Sequence, residues 1–308
     1  MTPLRLGYLY GIGAYLLWGF FPLYFKLLRP TGPLEVLAHR IVWSVLFVAL
    51  LLGALRNIGF LRALLRRRRT VAGIVAASAL IAINWGIYIY GVSSNRVVET
   101  ALGYFINPLV VVLLGVTVLR ERLRPAQWVA LGIGASAVAV LAVDYGRLPW
   151  LALSLAFSFA GYGLIKKQLG LPAAEGLFVE SAVLALPALG YLAWLNRHGG
   201  LTFGHVSAGH TALLVLAGAA TAIPLLLFAG AANRLPLTGL GMIQYLAPIL
   251  QLACGVLIFH EPMPPARLAG FALVWLALVV FTADAIRQAR QARQSRSTPR
   301  LPSPVPTP

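Results

Sequence analysis

The chain has 308 residues, of which 59% are hydrophobic and only 11% are charged, and its formal net charge is +17. A single soluble domain of this length cannot bury so much apolar surface, so the composition excludes an ordinary soluble enzyme and indicates an integral membrane protein. The single cysteine, Cys254, excludes an intramolecular disulfide framework and a cysteine-rich metal site.

Long apolar runs predict the secondary structure. Each run has roughly 17 to 25 residues, enough to cross about 30 Å of hydrocarbon as a helix. Lipid cannot satisfy backbone polar groups, and the runs lack the alternation of barrel strands, so helices are expected. The prediction is an all-α integral membrane protein with ten transmembrane helices. In chain order the predicted spans are 6–28, 34–55, 71–92, 97–119, 126–143, 150–166, 176–195, 211–231, 236–259 and 266–286.

The basic residues predict how the chain is oriented. Eighteen of the 25 Lys and Arg residues fall in one alternate set of connecting segments, whereas six fall in the other set and Arg40 lies within a span. The positive-inside rule therefore places both termini in the cytoplasm. The run Arg66 to Arg69 is expected to contact anionic membrane lipids. Nucleic acid is not expected as a partner, because no aromatic-interleaved soluble module is present.

Polar positions recur at a fixed separation of 140 residues, which indicates a duplication. The motif Pro-x6-Gly-x5-Glu-x3-Pro begins at both Pro108 and Pro248. Residues 1–145 are predicted to form a first repeat of helices 1 to 5, and residues 150–287 a second repeat of helices 6 to 10. Five spans per repeat would make the second repeat inverted. Six of the eight acidic residues pair at this separation: Glu35 with Glu175, Glu121 with Glu261, and Asp144 with Asp284.

The segment 288–308 is basic and then rich in proline. It cannot bury enough apolar area to order itself, so it is predicted to be a disordered cytoplasmic tail. Pro108 and Pro248 occupy equivalent places in the two repeats, so both are predicted to mark a broken helix that lines a cavity.

Ionisable residues within spans are costly, so each should be paired, hydrated or shallow. Arg40 is predicted either to pair with Glu99 or to meet a substrate carboxylate, which suits the fork of its guanidinium. Lys166 and Glu180 are predicted to form an ion pair on the inner side. Glu35 lies near the start of the second span and is a further candidate for charge balance or coupling.

Polar and aromatic side chains at helical spacing predict a substrate path between the repeats. The predicted substrate-binding or translocation residues are Arg40, His39, Asn84, Tyr88, Glu99, Tyr104, Asn107, Tyr162, Gln244 and Tyr245.

Catalytic motifs are missing from the sequence. It contains no His-Glu-x-x-His, no Gly-x-Ser-x-Gly and no Walker lysine motif. His205 and His210 have no visible third ligand. We therefore expect a protein that is not an enzyme, with no cofactor and no metal. Without an ATP-binding signature, its driving force would be a proton or ion gradient, an exchanged solute or the gradient of the substrate itself.

Four stretches carry a resemblance to a known family. They are Ala38 to Ser44, Asn84 to Tyr88, Glu99 to Leu109, and Arg120 to Leu123. These stretches resemble EamA-type members of the drug/metabolite transporter superfamily, and within it the RarD subgroup of chloramphenicol-sensitivity permeases. The resemblance implies a ten-helix carrier of small organic metabolites or drugs in the bacterial inner membrane.

Together these features predict a secondary transporter that moves a small organic molecule by alternating access between two inverted repeats. Two alternatives remain open from the residues. One is a lipid flippase or scramblase-like protein with a lateral groove lined by the same polar stripes. The other is a membrane sensor that does not transport and whose basic tail carries the output.

Overall fold

The computed structural model describes residues 2–54, 68–118, 120 and 122–297, and over these residues the chain is all helical. The all-α class is therefore confirmed. The helices, in chain order, are α1 Pro3–Gly19, α2 Phe21–Leu27, α3 Pro33–Ala54, α4 Arg68–Ser93, α5 Val97–Thr117, α6 Pro125–Tyr145, α7 Trp150–Leu169, α8 Ala173–Arg197, α9 Ala208–Ala232, α10 Leu237–Ile243, α11 Leu246–Ala253, a π-helical turn Cys254–Ile258, and α12 Pro265–Ser297.

Within the described residues, seven helices are long and apolar enough to cross a membrane, namely α3, α4, α5, α6, α8, α9 and α12. The pair α1 and α2, bent by 42° at Phe20, brings the number to eight if it is counted as one span. The two other predicted spans correspond to shorter apolar helices, Trp150–Lys166 and Leu246–Ile258. Ten complete spans thus remain a prediction.

The bend in the first span has its cause in the sequence, because a proline within a span is expected to kink the helix. Pro22 lies in the first turn of α2, where its missing N–H needs no partner. A proline at this place cannot bond to the carbonyl one turn earlier, so α1 ends at Gly19 and a new helix begins at Phe21.

The two prolines predicted to break helices behave differently. The prediction is wrong for Pro108, because α5 runs through it from Val97 to Thr117. This helix packs along its length against α7 and α11, and such packing can hold a helix together across a missing hydrogen bond. At Pro248 the helix does break, but the break lies one turn earlier, at Gln244 and Tyr245.

Helix α12 corrects the predicted tail. It continues through Ser297, ten residues into the segment expected to be disordered. Arg, Gln and Ala are good helix formers, so they propagate a helix that the preceding membrane segment has already nucleated. Residues 298–308 lie outside the described residues, as do Glu121 and the predicted lipid-binding residues Arg66 and Arg67.

Small residues allow the helices to approach closely. A Cβ atom on Gly103 of α5 would lie 2.8 Å from the backbone oxygen of Ala152 in α7. On Gly218 of α9 it would lie 2.3 Å from the backbone of Trp43 in α3. Without a hydrophobic driving force between helices in lipid, such contacts are a main source of association.

Five connecting segments meet at one end of the helix bundle. The α2–α3 segment contacts the α8–α9 segment through Thr31 and Thr202, whose hydroxyl oxygens are 2.6 Å apart. Lys26 of α2 donates a hydrogen bond to Asn95 in the α4–α5 segment. Arg147, between α6 and α7, reaches Glu99, and Glu261, before α12, reaches the first turn of α5. These are the segments that the ten-span prediction places on a common side.

Candidate functional site

Arg40 is a buried cation without an acidic partner among the residues that the structure describes. Its side chain extends from α3 into the bundle, and the residue is 4% exposed. Its Nε donates a hydrogen bond of 2.7 Å to Oγ1 of Thr221 in α9. The guanidinium lies 4.1 Å from the ring of Trp85, with the rings of Phe21 and Phe25 at 5.6 and 5.7 Å. A charge at this depth costs about 2.5 to 3.5 kcal/mol. A desolvated Trp face contributes about 2 kcal/mol in return, and a hydrogen bond to a charged group about 1.5 to 3 kcal/mol.

The predicted ion pair between Arg40 and Glu99 is wrong. The Glu99 carboxylate lies 2.7 Å from Nη2 of Arg96 and 2.9 Å from Nη2 of Arg147. It also accepts a hydrogen bond from the backbone N–H of Leu151. The hydrogen bond to Glu99 raises the pKa of the Arg147 guanidinium above its ordinary value. Both cations lie outside the predicted spans. They reach Glu99 because it is in the first turn of α5, close to the α4–α5 and α6–α7 segments.

Three further predicted residues lie beside Arg40. Tyr88 packs edge-on against Phe25 and Tyr104, with ring centroids 5.9 and 5.7 Å apart. The Tyr104 hydroxyl donates to Oδ1 of Asn84 at 3.3 Å. The hydroxyl of Tyr88 is buried, and no described residue forms a hydrogen bond with it. We call the set Phe21, Phe25, Arg40, Trp85, Tyr88 and Tyr104 the Arg40 cluster.

Asn84 joins the two predicted repeats. Its Nδ2 donates to the backbone oxygen of Leu155 at 2.9 Å and to Oγ of Ser158 at 3.1 Å, both in α7. The residue is 1% exposed, so its amide is fully committed to this contact and to Tyr104. Asn84 therefore orients the aromatic wall of the Arg40 cluster.

The predicted ion pair between Lys166 and Glu180 is confirmed, with Nζ 3.0 Å from Oε1. Tyr162 completes this site: its hydroxyl accepts from Lys166 at 2.6 Å and donates to Oε2 of Glu180 at 3.0 Å. A row of aromatic contacts, from Tyr104 through Phe159 to Tyr162, connects this pair with the Arg40 cluster.

Glu35 and His39 form a second buried polar group, near the end where the five segments meet. Oε1 of Glu35 accepts hydrogen bonds from the backbone N–H and the hydroxyl of Thr202, at 2.8 and 2.9 Å. The imidazole of His39 stacks on Phe203 at 4.8 Å, and its Nδ1 accepts a bond of 3.3 Å from Trp43. These residues fasten the α8–α9 segment onto α3. The burial of Glu35 and His39 is explained by their contacts with the α8–α9 segment.

Three predicted residues lie elsewhere. Asn107, on α5, has a buried Oδ1 that accepts no hydrogen bond from the described residues. Gln244 and Tyr245 occupy the break between α10 and α11, where both are half-buried. Tyr245 packs against a core cluster that includes Phe105 and Phe271. Within the described residues, no ring contact or hydrogen bond joins these three to Arg40.

Sequence reasoning missed several partners of the site residues. Thr221 was hidden because a lone hydroxyl in an apolar helix usually bonds its own backbone, and Thr221 does donate to the oxygen of Ala217 at 2.8 Å. Glu261 accepts from the backbone N–H groups of Val97 and Val98 at 2.6 and 2.8 Å and so caps α5. Its place in the repeated motif was visible in the sequence, but its target was not.

The site can bind, but its described residues offer no assembled catalytic group. No group of three or more His, Cys, Asp or Glu side chains in the described part of the chain could hold a metal ion. What the arrangement provides is a desolvated cation, an unused hydroxyl and several aromatic faces, which are the elements of a recognition site for a small organic molecule.

Comparisons with known proteins agree with this description. Residues 5–143 match the EamA-like transporter family. Protein RarD of Streptomyces exfoliatus is 54% identical over 98% of this chain and 95% of its own length. The uncharacterized transporter YojE of Bacillus subtilis is 43% identical over 92% of this chain and 96% of its own length. One crystal structure of a protein, 21% identical, covers 89% of this chain and 96% of that chain with a TM-score of 0.57, which is a likeness of fold.

The predicted resemblance is thereby confirmed: the chain belongs to the EamA-like transporter family and, within it, to the RarD subgroup of multi-pass bacterial membrane transporters.

Proposed function

We propose that this protein is a secondary transporter that moves a small organic metabolite or drug across the bacterial inner membrane. Transport would proceed by alternating access between two inverted five-helix repeats, with both termini in the cytoplasm. The observation that carries the proposal is a buried polar and aromatic site built from both repeats. Arg40 of the first repeat bonds to Thr221 of the second, and Asn84 of the first bonds to Ser158 of the second.

The pattern of helix packing supports the inverted repeat. The duplication equates the α1–α2 pair with α7, α3 with α8, α4 with α9, α5 with the α10–α11 segment, and α6 with α12. Under this exchange, the packing of α4 on α7 corresponds to that of α9 on α1, and both pairs are in contact. The packing of α5 on α7 likewise corresponds to that of α11 on α1, and the packing of α3 on α9 to that of α8 on α4.

Two ion pairs between α6 and α12 support the same symmetry. Asp144 and Asp284 are equivalent in the duplication. Asp144 accepts from Arg267 at 2.9 Å, and Asp284 accepts from Arg124 at 2.7 Å. Each acid therefore pairs with an arginine of the other repeat, as a two-fold axis lying in the membrane plane would require.

The mechanism would use the site between the repeats as a fixed binding point. Rocking one repeat against the other would open the Arg40 cluster to one side of the membrane at a time. The contacts of Glu35 and Thr202 would hold one entrance closed and release it when the site opens. The pair of Lys166 and Glu180 is a candidate for coupling to a proton or an exchanged solute.

Flux measurements in proteoliposomes test this function. The purified protein is reconstituted, and uptake of a panel of metabolites and amphiphilic drugs is compared with and without a pH gradient and a preloaded solute. Saturable uptake that Asn84→Ala reduces at least tenfold is expected. Arg234→Gln serves as the matched control, because Arg234 is exposed and its described contacts, a hydrogen bond to Gly230 and the ring of Tyr10, involve no residue of the Arg40 cluster.

The same vesicles discriminate the alternatives. Translocation of headgroup-labelled lipid without uptake of any solute would identify a scramblase-like protein. A sensor would lose its output when residues 288–308 are removed, whereas a carrier would keep its uptake. Solute flux that is absent across the panel would contradict the transport proposal.

A further inference from the structure

The charge of Arg40 is solvated by aromatic rings and one hydroxyl, and it is not neutralised. Five acids of the described part of the chain lie within ion-pair distance of cations other than Arg40. Glu99, Asp144, Glu180 and Asp284 do so with Arg or Lys residues, and Glu35 with His39. Glu35 and Glu261 accept hydrogen bonds from Thr202 and from the start of α5. In the part of the chain that the structure describes, no hydrogen bond or ion pair joins Arg40 to an acid, so its unit positive charge stays uncompensated there.

The hydrogen-bonding capacity of Arg40 is largely unused. A guanidinium has five N–H groups, and the structure gives Arg40 one hydrogen bond, from Nε to Thr221. The Trp85 ring lies over the guanidinium carbon and contributes no acceptor oxygen. The terminal nitrogens are the part of the fork that binds a carboxylate through two parallel bonds.

A second, independent observation lies beside the first. Tyr88 is 3% exposed, and its hydroxyl has no hydrogen-bond partner among the residues that the structure describes. Its ring and the Arg40 guanidinium contact the same Phe25 ring, at 5.9 and 5.7 Å. Buried hydroxyls are nearly always hydrogen-bonded, so an orphaned one beside an unneutralised cation points to an acceptor that arrives from outside the chain.

We propose that Arg40 and Tyr88 together bind the carboxylate of a small organic anion, and that Phe21, Phe25 and Trp85 contact its apolar body. This inference rests on the transport function proposed above and names the class of its substrate. A monoanion matches the single cation of the cluster. A phosphate dianion would bring a second negative charge into a site that holds nothing to balance it.

Matched pairs of ligands test the inference. Purified wild-type protein is titrated calorimetrically with benzoate and benzamide, with phenylacetate and phenylacetamide, and with phenylalanine and phenylalaninamide. Each pair changes the carboxylate and leaves the apolar body unchanged. The third pair distinguishes an amino acid from a simple carboxylate. Phenyl phosphate tests the dianion. At least one carboxylate is expected to bind ten- to hundredfold more tightly than its amide, the range for a charge-assisted bond in a buried site.

Variants then assign the discrimination to residues. Arg40→Gln should abolish the preference for carboxylate while amide binding stays within about twofold, and Arg40→Lys should restore part of it as a point charge without the fork. Tyr88→Phe should weaken carboxylate binding about three- to tenfold. Arg234→Gln should bind like the wild type. Should Arg40→Gln fail to accumulate, Tyr88→Phe removes a single oxygen and carries the test.

The outcomes separate this inference from the function on which it rests. A wild-type protein that prefers no carboxylate over its amide, or a Tyr88→Phe variant that binds carboxylates unchanged, overturns the assignment of the anion site. If neutral or cationic solutes are nevertheless taken up by proteoliposomes, the protein is still a carrier. The absence of flux for every solute would overturn the carrier itself.

Discussion

The two charges of the Lys166–Glu180 ion pair are buried to different extents. Glu180 is almost enclosed, with a side chain 4% exposed, whereas its partner Lys166 is 25% exposed and lies near the end of α7. A buried charge that loses its partner is costly, but a long lysine near a helix end can turn toward water. The two halves of one ion pair should therefore respond unequally to mutation.

We expect Lys166→Met to lower the free energy of unfolding by about 3 to 5 kcal/mol, because it strands the Glu180 carboxylate. Glu180→Gln should cost only about 1 kcal/mol, since the amide still accepts from Tyr162 and Lys166 can reach solvent. The measurement is reversible unfolding in mixed micelles containing SDS. The double variant should be more stable than Lys166→Met alone, and equal losses in the two single variants would refute the asymmetry.

At the scale of elements, the start of α5 depends on a residue far away in the chain. Glu261 accepts from the first two backbone N–H groups of this helix, Val97 and Val98, which have no intrahelical partner. A carboxylate at a helix N-terminus also interacts favourably with the helix dipole. One side chain of the second predicted repeat thus caps the helix that carries Glu99 and Tyr104.

We expect Glu261→Ala to destabilise the protein by about 2 to 4 kcal/mol, because two buried donors lose their acceptor. Amide hydrogen exchange within residues 97–100 should accelerate selectively, which mass spectrometry detects. Glu261→Gln keeps one acceptor oxygen and should show roughly half the effect. Exchange that rises uniformly across the chain, or not at all, would argue against a cap.

Helices α6 and α12 are joined by two ion pairs that are buried to different extents. The side chains of Arg267 and Asp144 are 15% and 8% exposed, whereas those of Arg124 and Asp284 are 38% and 16% exposed. Asp144→Asn should cost about 2 kcal/mol of stability and Asp284→Asn about 1 kcal/mol or less, because solvent screens the more exposed pair. Thermal unfolding measured in 0.05 and 0.5 M NaCl checks this order. The higher salt concentration should reduce the stability loss of Asp284→Asn more than that of Asp144→Asn.

At the scale of the whole molecule, the proposed topology makes a direct prediction. Single cysteines are introduced in a Cys254→Ala background at Asn95 and Gly199, in two of the segments that meet at one end, and at Gly170 and Asn233. A membrane-impermeant maleimide added to intact cells should label the first two positions and leave the last two unlabelled until the membrane is permeabilised. Gly170 and Asn233 are the matched controls, being equally close to helix ends.

Labelling of Asn95 and Gly199 on opposite faces would contradict ten spans and with them the inverted repeat. The structure makes this test sharp, because the contacts of Thr202 with Thr31 and with Glu35 bring segments from both repeats together. If those segments lay on different sides of the membrane, the contacts could not form in one bundle.

The sequence by itself determined that this protein is a membrane protein, that it is all helical, and to which family it belongs. Apolar runs of about 20 residues have only a helical solution in lipid, so the all-α class follows from composition and length. The ion pair of Lys166 with Glu180 could also be predicted from the sequence, because helical spacing and a short connection place both residues at the same depth. The repeated prolines pointed near the break before α11, although not to its position.

Only the tertiary structure decided which charges pair across the bundle. Depth along a helix is readable from sequence, but rotation about its axis and the path of each connecting segment are not. Glu99 was predicted to lie at the depth of Glu35, about 7 Å shallower than Arg40 at 1.5 Å per residue, and still within reach of Arg40. In the structure Glu99 faces Arg96 and Arg147, and Arg40 faces Thr221 and Trp85. For the same reason α5 continues through Pro108, because the surrounding packing outweighs the one backbone hydrogen bond that a proline removes.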